Sequence, residues 1–152
     1  MEEECLFCSL LSGKKHRNNY PFMPVHETER TISFLSIDFP KGEDGHTLVI
    51  PKKHYESIED VPNITQLELI KHVSLIAKVI RNEHGGCNIL LNDGAPAEQT
   101  IMHTHFHLVP RDKDDGIEIE LWTRTRMPKE KYTKLCHKFR KLAKKHSKKG
   151  KK

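Results

Sequence analysis

The feature that most constrains this chain is a run of three histidines, His103, His105 and His107, each separated from the next by one residue. In a β-strand successive side chains point to opposite faces, so this spacing places the three imidazoles in one row. A helix would rotate each imidazole by about 200° from the last. Imidazoles packed side by side repel when charged and lose hydration when buried. We therefore predict a strand whose histidine face lines a functional cleft, while Phe106 and Leu108 face a core.

The remaining pattern predicts an α+β fold in which an antiparallel sheet of about five strands surrounds one long helix. Alternating apolar residues between turn signals indicate the strands, and a short helical turn before Gly13 opens the chain. We expect strands near Val25 and over residues 31–37, 46–51, 86–92 and 103–109, with an edge strand over 117–122.

Residues 62–86 show the clearest helical pattern. Thr65 and Glu68 have the spacing of a capping box, in which two side chains satisfy the first backbone N–H groups of a helix. His72 and His84 lie off the apolar stripe, so we expect both at the surface. The stripe, with helical spacing, comprises Leu69, Ile70, Val73, Ile76, Ala77 and Ile80.

The four cysteines do not suggest a disulfide framework. The N-terminus is acidic and lacks the apolar segment of a secretory signal, and no apolar run approaches 18 residues, so we expect a cytoplasmic protein with no membrane partner. In that compartment Cys5-x-x-Cys8 is half of a zinc site, which needs two more ligands. A redox motif is the weaker alternative, because no strand precedes these cysteines.

Charge divides the sequence into residues 1–128 and a basic C-terminal segment, residues 129–152. The segment holds 12 basic residues and one acidic residue, a net charge of +11, whereas the first 128 residues carry −6. A basic helix following Pro128 is predicted, and such a segment attracts RNA, DNA, acidic lipid or an acidic partner, or else is simply solvated. One side of this helix carries Tyr132, Leu135, Cys136, Phe139 and Leu142.

Taken together, these motifs resemble the histidine triad (HIT) family, in particular its Hint-like branch with bacterial and archaeal relatives. The resemblance covers residues 5–111. It rests on Gln99-Thr100 followed by the histidine run, on His-Thr-Leu-Val-Ile-Pro-Lys-Lys-His over 46–54, and on the paired cysteines. It implies a small α+β fold that commonly forms a homodimer through the long helix and the strand before the histidines.

The resemblance implies hydrolysis at the α-phosphorus of a purine nucleotide conjugate, such as a phosphoramidate, an acyl-adenylate or a dinucleoside polyphosphate. His105 would be the nucleophile, oriented by the backbone carbonyl of His103. His107 would hold phosphate oxygens and pass a proton to the leaving group, and His46 would complete the set. Relatives that transfer nucleotides carry Gln in place of His107, so hydrolysis is expected.

Further residues follow from the same resemblance. A structural zinc ion would be held by Cys5, Cys8, His54 and His103. Relatives carry an aspartate that binds both ribose hydroxyls where this chain has Ser36, and we expect Asp38 to replace it. Thr100, together with Gln99, would donate to phosphate and leaving-group atoms, and Asn92 would lie on the phosphate side. Substrate binding is thus assigned to Phe34, Ser36, Ile37, Asp38, Asn92, Gln99 and Thr100.

Two other functions remain open. A catalytically weak zinc-binding scaffold could use the basic helix to bind a partner. A repair enzyme that removes 5′-adenylate from nucleic acid would need a further zinc finger. The C-terminal segment offers only Cys136, His137 and His146, one cysteine short of a Cys₂His₂ site.

Overall fold

The computed structural model describes residues 5–13, 20–38, 45–119 and 124–147. The chain divides into two compact units, Met1–Ile117 and Glu118–Lys152. The boundary that we expected after residue 128 stays a prediction.

In its described residues, the first unit contains all strands of the sheet and two α-helices. Its elements are helix α1 (Leu6–Leu11), strands β1 (Pro24–Glu27), β2 (Thr31–Leu35) and β3 (Thr47–Pro51), helix α2 (Asn63–Glu83), and strands β4 (Gly86–Leu91) and β5 (Phe106–Arg111). Short 3₁₀ turns cover Ile58–Asp60 and Ala95–Ala97. The described part of the second unit contains helix α3 (Lys129–Ser147).

The five strands form one antiparallel sheet in the order β1-β2-β3-β5-β4. On β5, His107 lies opposite Leu48 of β3 on one side and opposite Leu90 of β4 on the other. The histidine is therefore held between two neighbouring strands rather than at an edge. The predicted α+β class, with a five-stranded antiparallel sheet, one long helix and a C-terminal helix, is confirmed.

Different helices cover the two faces of the sheet. Successive side chains of β3 alternate, so Val49 packs toward α2 while Leu48 and Ile50 pack toward α1. Phe7 and Leu10 of α1 are each 2% exposed, and burying side chains of this size contributes roughly 1.5–3 kcal/mol apiece. This packing holds the paired cysteines against the sheet.

The prediction of one strand carrying all three histidines is wrong in part. β5 begins at Phe106, so only His107 lies in the strand. The register of β3 with β5 would place Thr104 opposite Pro51, which has no N–H to donate to a ladder. The N–H of Thr104 instead donates to the carbonyl of Tyr55, at 2.6 Å. Residues 103–105 therefore lie outside the sheet, which the chain joins at Phe106.

Helix α2 confirms the helix expected over 62–86, but the capping box is wrong. The helix begins at Asn63, and Thr65 is a buried residue inside its first turn. Glu68 accepts hydrogen bonds from the hydroxyl of Thr28 and, at 2.9 Å, from the backbone N–H of Arg30. These bonds lower the pKa of Glu68 to about 2. Glu68 thus joins α2 to the turn between β1 and β2.

Two residues of α2 differ from expectation in their exposure to solvent. Ile70 is 57% exposed, whereas His72 is only 2% exposed. Nδ1 of His72 lies 2.7 Å from the hydroxyl of Thr31, and its Nε2 lies 2.9 Å from the hydroxyl of Ser33. Both hydroxyls project from β2 toward α2. The sheet therefore offers a polar patch, and the helix buries a polar side chain against it.

The end of the first unit also differs from expectation. His84, expected at the surface, is partly buried, and its Nδ1 lies 2.7 Å from the carboxylate of Asp112. Residues 117–119 form no strand, and the rest of the expected edge strand lies outside the described residues. The Arg111 guanidinium donates to Asp115 and, at 2.6 Å, to the carbonyl of Ile117. That carbonyl is consequently engaged within its own loop.

Helix α3 begins at Lys129, directly after Pro128, as predicted. Its apolar side is open: Tyr132, Phe139 and Leu142 are all exposed. Among the described helices, none has the length and apolar character needed to cross a bilayer.

The buried His72 generates a prediction about stability. Burial, and then the neighbouring His26, lower the pKa of His72 to about 4 from its ordinary 6.5. The unfolded chain therefore takes up a proton below pH 6.5 that the folded chain does not accept until about pH 4. Wild-type stability should fall as the pH drops from 7 to 5, and this histidine should account for roughly 1–2 kcal/mol of the loss.

Urea unfolding at both pH values measures this effect. A His72→Gln variant should lack that part of the pH dependence. His72→Ala should lose about 2–4 kcal/mol at pH 7, because it opens a cavity and removes one hydrogen-bond partner from each of the two hydroxyls. Lys71→Ala, an exposed neighbour on the same helix, is the matched control and should change stability by less than about 0.5 kcal/mol. An unchanged pH dependence in His72→Gln would contradict the prediction.

Candidate active site

Three imidazoles meet where β3 and β5 lie side by side. The rings of His105 and His107 have centroids 4.7 Å apart, and those of His46 and His107 are stacked at 5.2 Å. His46 directly precedes β3 and is 9% exposed, while His105 directly precedes β5 and is 3% exposed. The structure therefore brings together three of the predicted histidines as a partly buried cluster.

His105 is held in one tautomer by a backbone contact. Its Nδ1 lies 2.7 Å from the carbonyl oxygen of His103. A carbonyl only accepts, so Nδ1 carries the hydrogen and Nε2 of the neutral ring keeps its lone pair. Burial lowers the pKa of His105, which keeps the ring neutral near pH 7. The ring thus presents an unprotonated nitrogen to whatever binds beside it.

His46 and His107 form a short hydrogen-bonded chain. Nδ1 of His46 donates to the backbone carbonyl of Asp38 at 3.1 Å, so its Nε2 accepts from Nδ1 of His107 at 3.0 Å. Burial, and then the nearby rings of His105 and His46, lower the pKa of His107 to about 4. This chain leaves Nε2 of His107 as its open end, where a proton can be gained or given.

A second cluster lies next to the first. Ligand atoms of Cys5, Cys8, His54 and His103 all lie within 4.8 Å of one another. Nδ1 of His103 is 3.5 Å from Sγ of Cys5 and 3.6 Å from Sγ of Cys8, and Nδ1 of His54 is 3.4 Å from Sγ of Cys8. Two sulfurs and two imidazole nitrogens suit a tetrahedral metal ion such as zinc.

The ring of His103 is oriented for that cluster. Its Nε2 donates to the carbonyl of Pro51 at 2.9 Å, which leaves the lone pair on Nδ1, facing the sulfurs. A hydrogen bond from the ring nitrogen that faces away from a metal fixes the orientation of a histidine ligand. Burial is the main cause that lowers the pKa of His103 to about 4. The ring is therefore neutral, as a metal ligand must be. His103 contributes its ring to one cluster and its carbonyl to the other.

An apolar pocket opens beside β2. Its volume is about 430 Å³. Ser36 contributes a hydroxyl to the wall, but that hydroxyl donates to the carbonyl of Asp38 at 3.0 Å and accepts from the N–H of Asp38 at 3.3 Å. The lining residues are Tyr20, Pro21, Phe22, Met23, Pro24, Val25, Phe34, Leu35, Ser36 and Ile37.

Gln99 differs from expectation. Its amide nitrogen donates to the carbonyl of Glu56 at 2.8 Å and to that of Ile101 at 3.2 Å, while its oxygen accepts from the N–H of Gly94 at 2.6 Å. Both amide hydrogens are therefore used inside the protein, where the side chain holds the loop together, and the expected donation from Gln99 to a phosphate stays a prediction. Thr100, which follows it, is exposed.

Asn92 follows β4, whose Leu91 and Leu90 lie opposite Phe106 and His107 of β5. The register therefore places Asn92 beside the start of β5. Its side chain is partly buried.

Sequence reasoning missed several residues that shape the site. Phe7 lies edge-on against both His103 and His105, with ring centroids 5.7 and 5.3 Å apart. Its position inside the Cys-x-x-Cys motif was the available signal. Tyr20 and Phe22 line the pocket. Two aromatic residues in a segment rich in proline and polar residues were the available signal.

Comparisons with known proteins agree with this geometry. The model of the HIT domain matches residues 18–114. An uncharacterized HIT-like protein of Methanocaldococcus jannaschii is 38% identical over 113 residues, which is 74% of this chain and 82% of that protein. The adenosine 5′-monophosphoramidase of Candida albicans is 33% identical over 118 residues, 74% of this chain and 72% of its own.

A solved structure points the same way. The zinc-bound histidine triad family protein of Mycobacterium smegmatis has a TM-score of 0.64 and 32% identity, covering 85% of this chain and 86% of its own. The sequence match extends over more than half of the chain and includes both clusters' histidines. The chain therefore belongs to the histidine triad (HIT) family.

Proposed function

We propose that this protein hydrolyses purine nucleotide conjugates at the α-phosphorus through a covalent nucleotidyl-His105 intermediate. The observation that carries the proposal is the 2.7 Å contact between Nδ1 of His105 and the carbonyl of His103, which leaves Nε2 free to attack. Conjugates of this class include phosphoramidates, acyl-adenylates and dinucleoside polyphosphates. The Candida albicans relative, named an adenosine 5′-monophosphoramidase, supports this class of reaction.

The proposed reaction has two displacements at phosphorus. In the first, the lone pair on Nε2 of His105 forms a bond to phosphorus as the bond to the leaving group breaks, and the leaving group takes a proton from Nε2 of His107. The anionic phosphate of the bound substrate would raise the pKa of His107, so that the ring is protonated at this step. In the second, water attacks phosphorus, His107 takes its proton, and the bond to His105 breaks to release the nucleoside monophosphate. His46 accepts from Nδ1 of His107 and would stabilise its charged form.

The pocket beside β2 is the proposed nucleoside site. An apolar wall with Phe34 and Ile37 suits a purine ring, and 430 Å³ is ample for a nucleoside. Ser36 and Asp38 would lie at the ribose, and Thr100 and Asn92 at the phosphate. Because the hydroxyl of Ser36 is engaged by its own turn, we assign the sugar only weak recognition there.

The nucleophile generates a direct test. His105→Ala should reduce kcat/KM for an adenosine phosphoramidate by at least about 10³-fold, because no second nucleophile replaces the ring. Brief mixing with substrate labelled at phosphorus, followed by denaturation, should leave label on the wild type and none on the variant.

His137→Ala is the control for the loss of an imidazole, since His137 is an exposed residue of α3. It should retain full activity and labelling. Activity that survives in His105→Ala would overturn the mechanism. A wild type that turns over none of the conjugates would favour the scaffold function instead.

We further propose that Cys5, Cys8, His54 and His103 hold a structural zinc ion. The converging nitrogens and sulfurs support this, as does the zinc-bound relative from Mycobacterium smegmatis. All four positions would be filled by protein side chains, so the ion would stabilise the fold and leave catalysis to the histidine cluster.

Metal content tests the zinc proposal. The purified protein should contain about one zinc per chain, and a strong chelator should lower its thermal unfolding midpoint. Cys8→Ser should lose most of the metal, whereas Cys87→Ser, a cysteine outside the cluster, should keep it. A metal-free wild type whose stability does not respond to added zinc would contradict the proposal.

We also propose that two copies pair through α2 and β4. β4 is an edge strand of the sheet, where Ile89 is 48% exposed, and α2 exposes Ile64, Leu67 and Ile70. Unpaired strand edges and contiguous apolar side chains are both features that a partner subunit would cover.

Sedimentation equilibrium measures this association. The wild type should sediment as a dimer, and Leu67→Glu should shift it to monomer, because the new carboxylate would be buried without a partner. Thr133→Glu makes the same charge change on α3 and should leave the dimer intact. A monomeric wild type at micromolar concentration would rule the pairing out.

A further inference from the structure

Helix α3 separates apolar from basic residues around its axis. At 100° per residue, an arc of about 120° contains no basic residue of the helix other than His146. Every lysine and arginine of α3 lies outside this arc. The arc otherwise consists of Tyr132, Leu135, Cys136, Phe139, Leu142 and Ala143.

The apolar arc is open to solvent. Tyr132 and Phe139, one above the other on the helix, are 60% and 64% exposed, and Leu142 is 40% exposed. Three large apolar side chains exposed on one helix face are more than scattered surface residues, and mark a surface that another body covers.

The charge beside the arc indicates the chemistry of the surface that covers it. α3 carries eight basic residues and one acidic residue, and four more lysines lie within residues 148–152. The first 128 residues are net acidic, at −6. Attraction to an anionic surface is therefore concentrated in this segment, while the rest of the chain is repelled from such a surface.

Three kinds of partner could cover α3: a nucleic acid, a second copy of the chain, or an anionic lipid bilayer. A nucleic acid would use the lysines but would leave the apolar arc in water. A second α3 would bring together two rows of lysines, and α2 of a second copy would bring Lys71, Lys78 and Arg81 close to those rows. An anionic lipid bilayer buries the apolar arc and attracts the basic residues at the same time.

We propose that α3 is a surface anchor that lies in the headgroup region of anionic membranes. The apolar arc would enter the boundary between headgroups and acyl chains, and Lys131, Lys138 and Arg140, which flank the arc, would extend to the lipid phosphates. The helix lies on the bilayer without crossing it. This revises the expectation of no membrane partner and is independent of the proposed hydrolase activity.

Co-sedimentation of the full-length protein with vesicles tests the anchor. The wild type should bind vesicles of phosphatidylcholine with about one-third phosphatidylserine, should bind phosphatidylcholine alone far more weakly, and should be released as salt is raised. Failure to bind the anionic vesicles at low salt would overturn the proposal.

A matched pair of variants separates insertion from plain charge attraction. Phe139→Glu and Thr133→Glu add the same charge to the same helix, but only the first removes an apolar anchor. Phe139→Glu should bind the anionic vesicles about tenfold or more less tightly than Thr133→Glu, since burying a phenylalanine contributes at least that factor. Equal losses would show that the arc does not enter the bilayer, and would overturn the proposal.

Two further measurements keep the outcome unambiguous. Circular dichroism checks that both variants retain helix, and a Phe139→Trp probe in a Trp122→Phe background should shift its fluorescence to the blue on anionic vesicles only.

If Phe139→Glu instead dissociates a dimer, a second copy covers the arc. If duplex RNA or DNA binds the wild type while vesicles do not, the partner is a nucleic acid; both results contradict the anchor. Hydrolase activity on a soluble substrate should be unchanged in every variant.

Discussion

The hydrogen bond from Nδ1 of His105 to the carbonyl of His103 is the contact on which the rest of the site depends. A free histidine exchanges its hydrogen between two nitrogens, and only one of the resulting tautomers presents Nε2 as a nucleophile. The backbone of His103 selects that tautomer. The ring of the same residue is fixed by Pro51 on one side and faces two sulfurs on the other. The cluster that suits a metal and the cluster that suits catalysis therefore share one residue.

The departure of residues 103–105 from the sheet explains how this sharing is geometrically possible. In an extended strand, a carbonyl points sideways toward the neighbouring strand, and the side chain two residues later stands perpendicular to it. A strand running through all three histidines would align their rings but would deny His105 the carbonyl of His103. Pro51, which offers no N–H to the ladder, is placed where the strand would otherwise have continued. The error in our strand prediction thus falls at the residues whose local conformation the chemistry needs.

Much of the fold could be predicted because its signals are local. The spacing of apolar residues located α2, and alternation with β-branched residues located β2 and β3 to within two residues. What failed depended on partners distant in the chain. His72 looks like a surface residue on its own helix, and only the hydroxyls of Thr31 and Ser33, 41 and 39 residues away, make its burial favourable. Glu68 likewise has the spacing of a cap, yet it bonds to the turn at Thr28 and Arg30.

The candidate site likewise has residues that a local pattern identifies and residues that only distant contacts bring together. The histidines and cysteines were recognisable because few structural roles require them at such spacings. The pocket was predicted only in part: Phe34, Ser36 and Ile37 were assigned to substrate binding, but residues 20–25, which complete the lining, were not. No spacing rule relates a polar, proline-rich loop to the strand against which it packs.

One turn connects that pocket to the proton-carrying histidines. Ser36 lies in the pocket wall and holds Asp38 through two hydrogen bonds, and the carbonyl of Asp38 fixes His46, which in turn bonds His107. A hydroxyl is well suited to this position because it both donates and accepts, which an ionised carboxylate cannot do. The resemblance implies a ribose-binding aspartate at this position in relatives, whereas Ser36 stiffens the support of His46. In the proposed reaction, this departure would weaken recognition of the sugar and strengthen the positioning of His107.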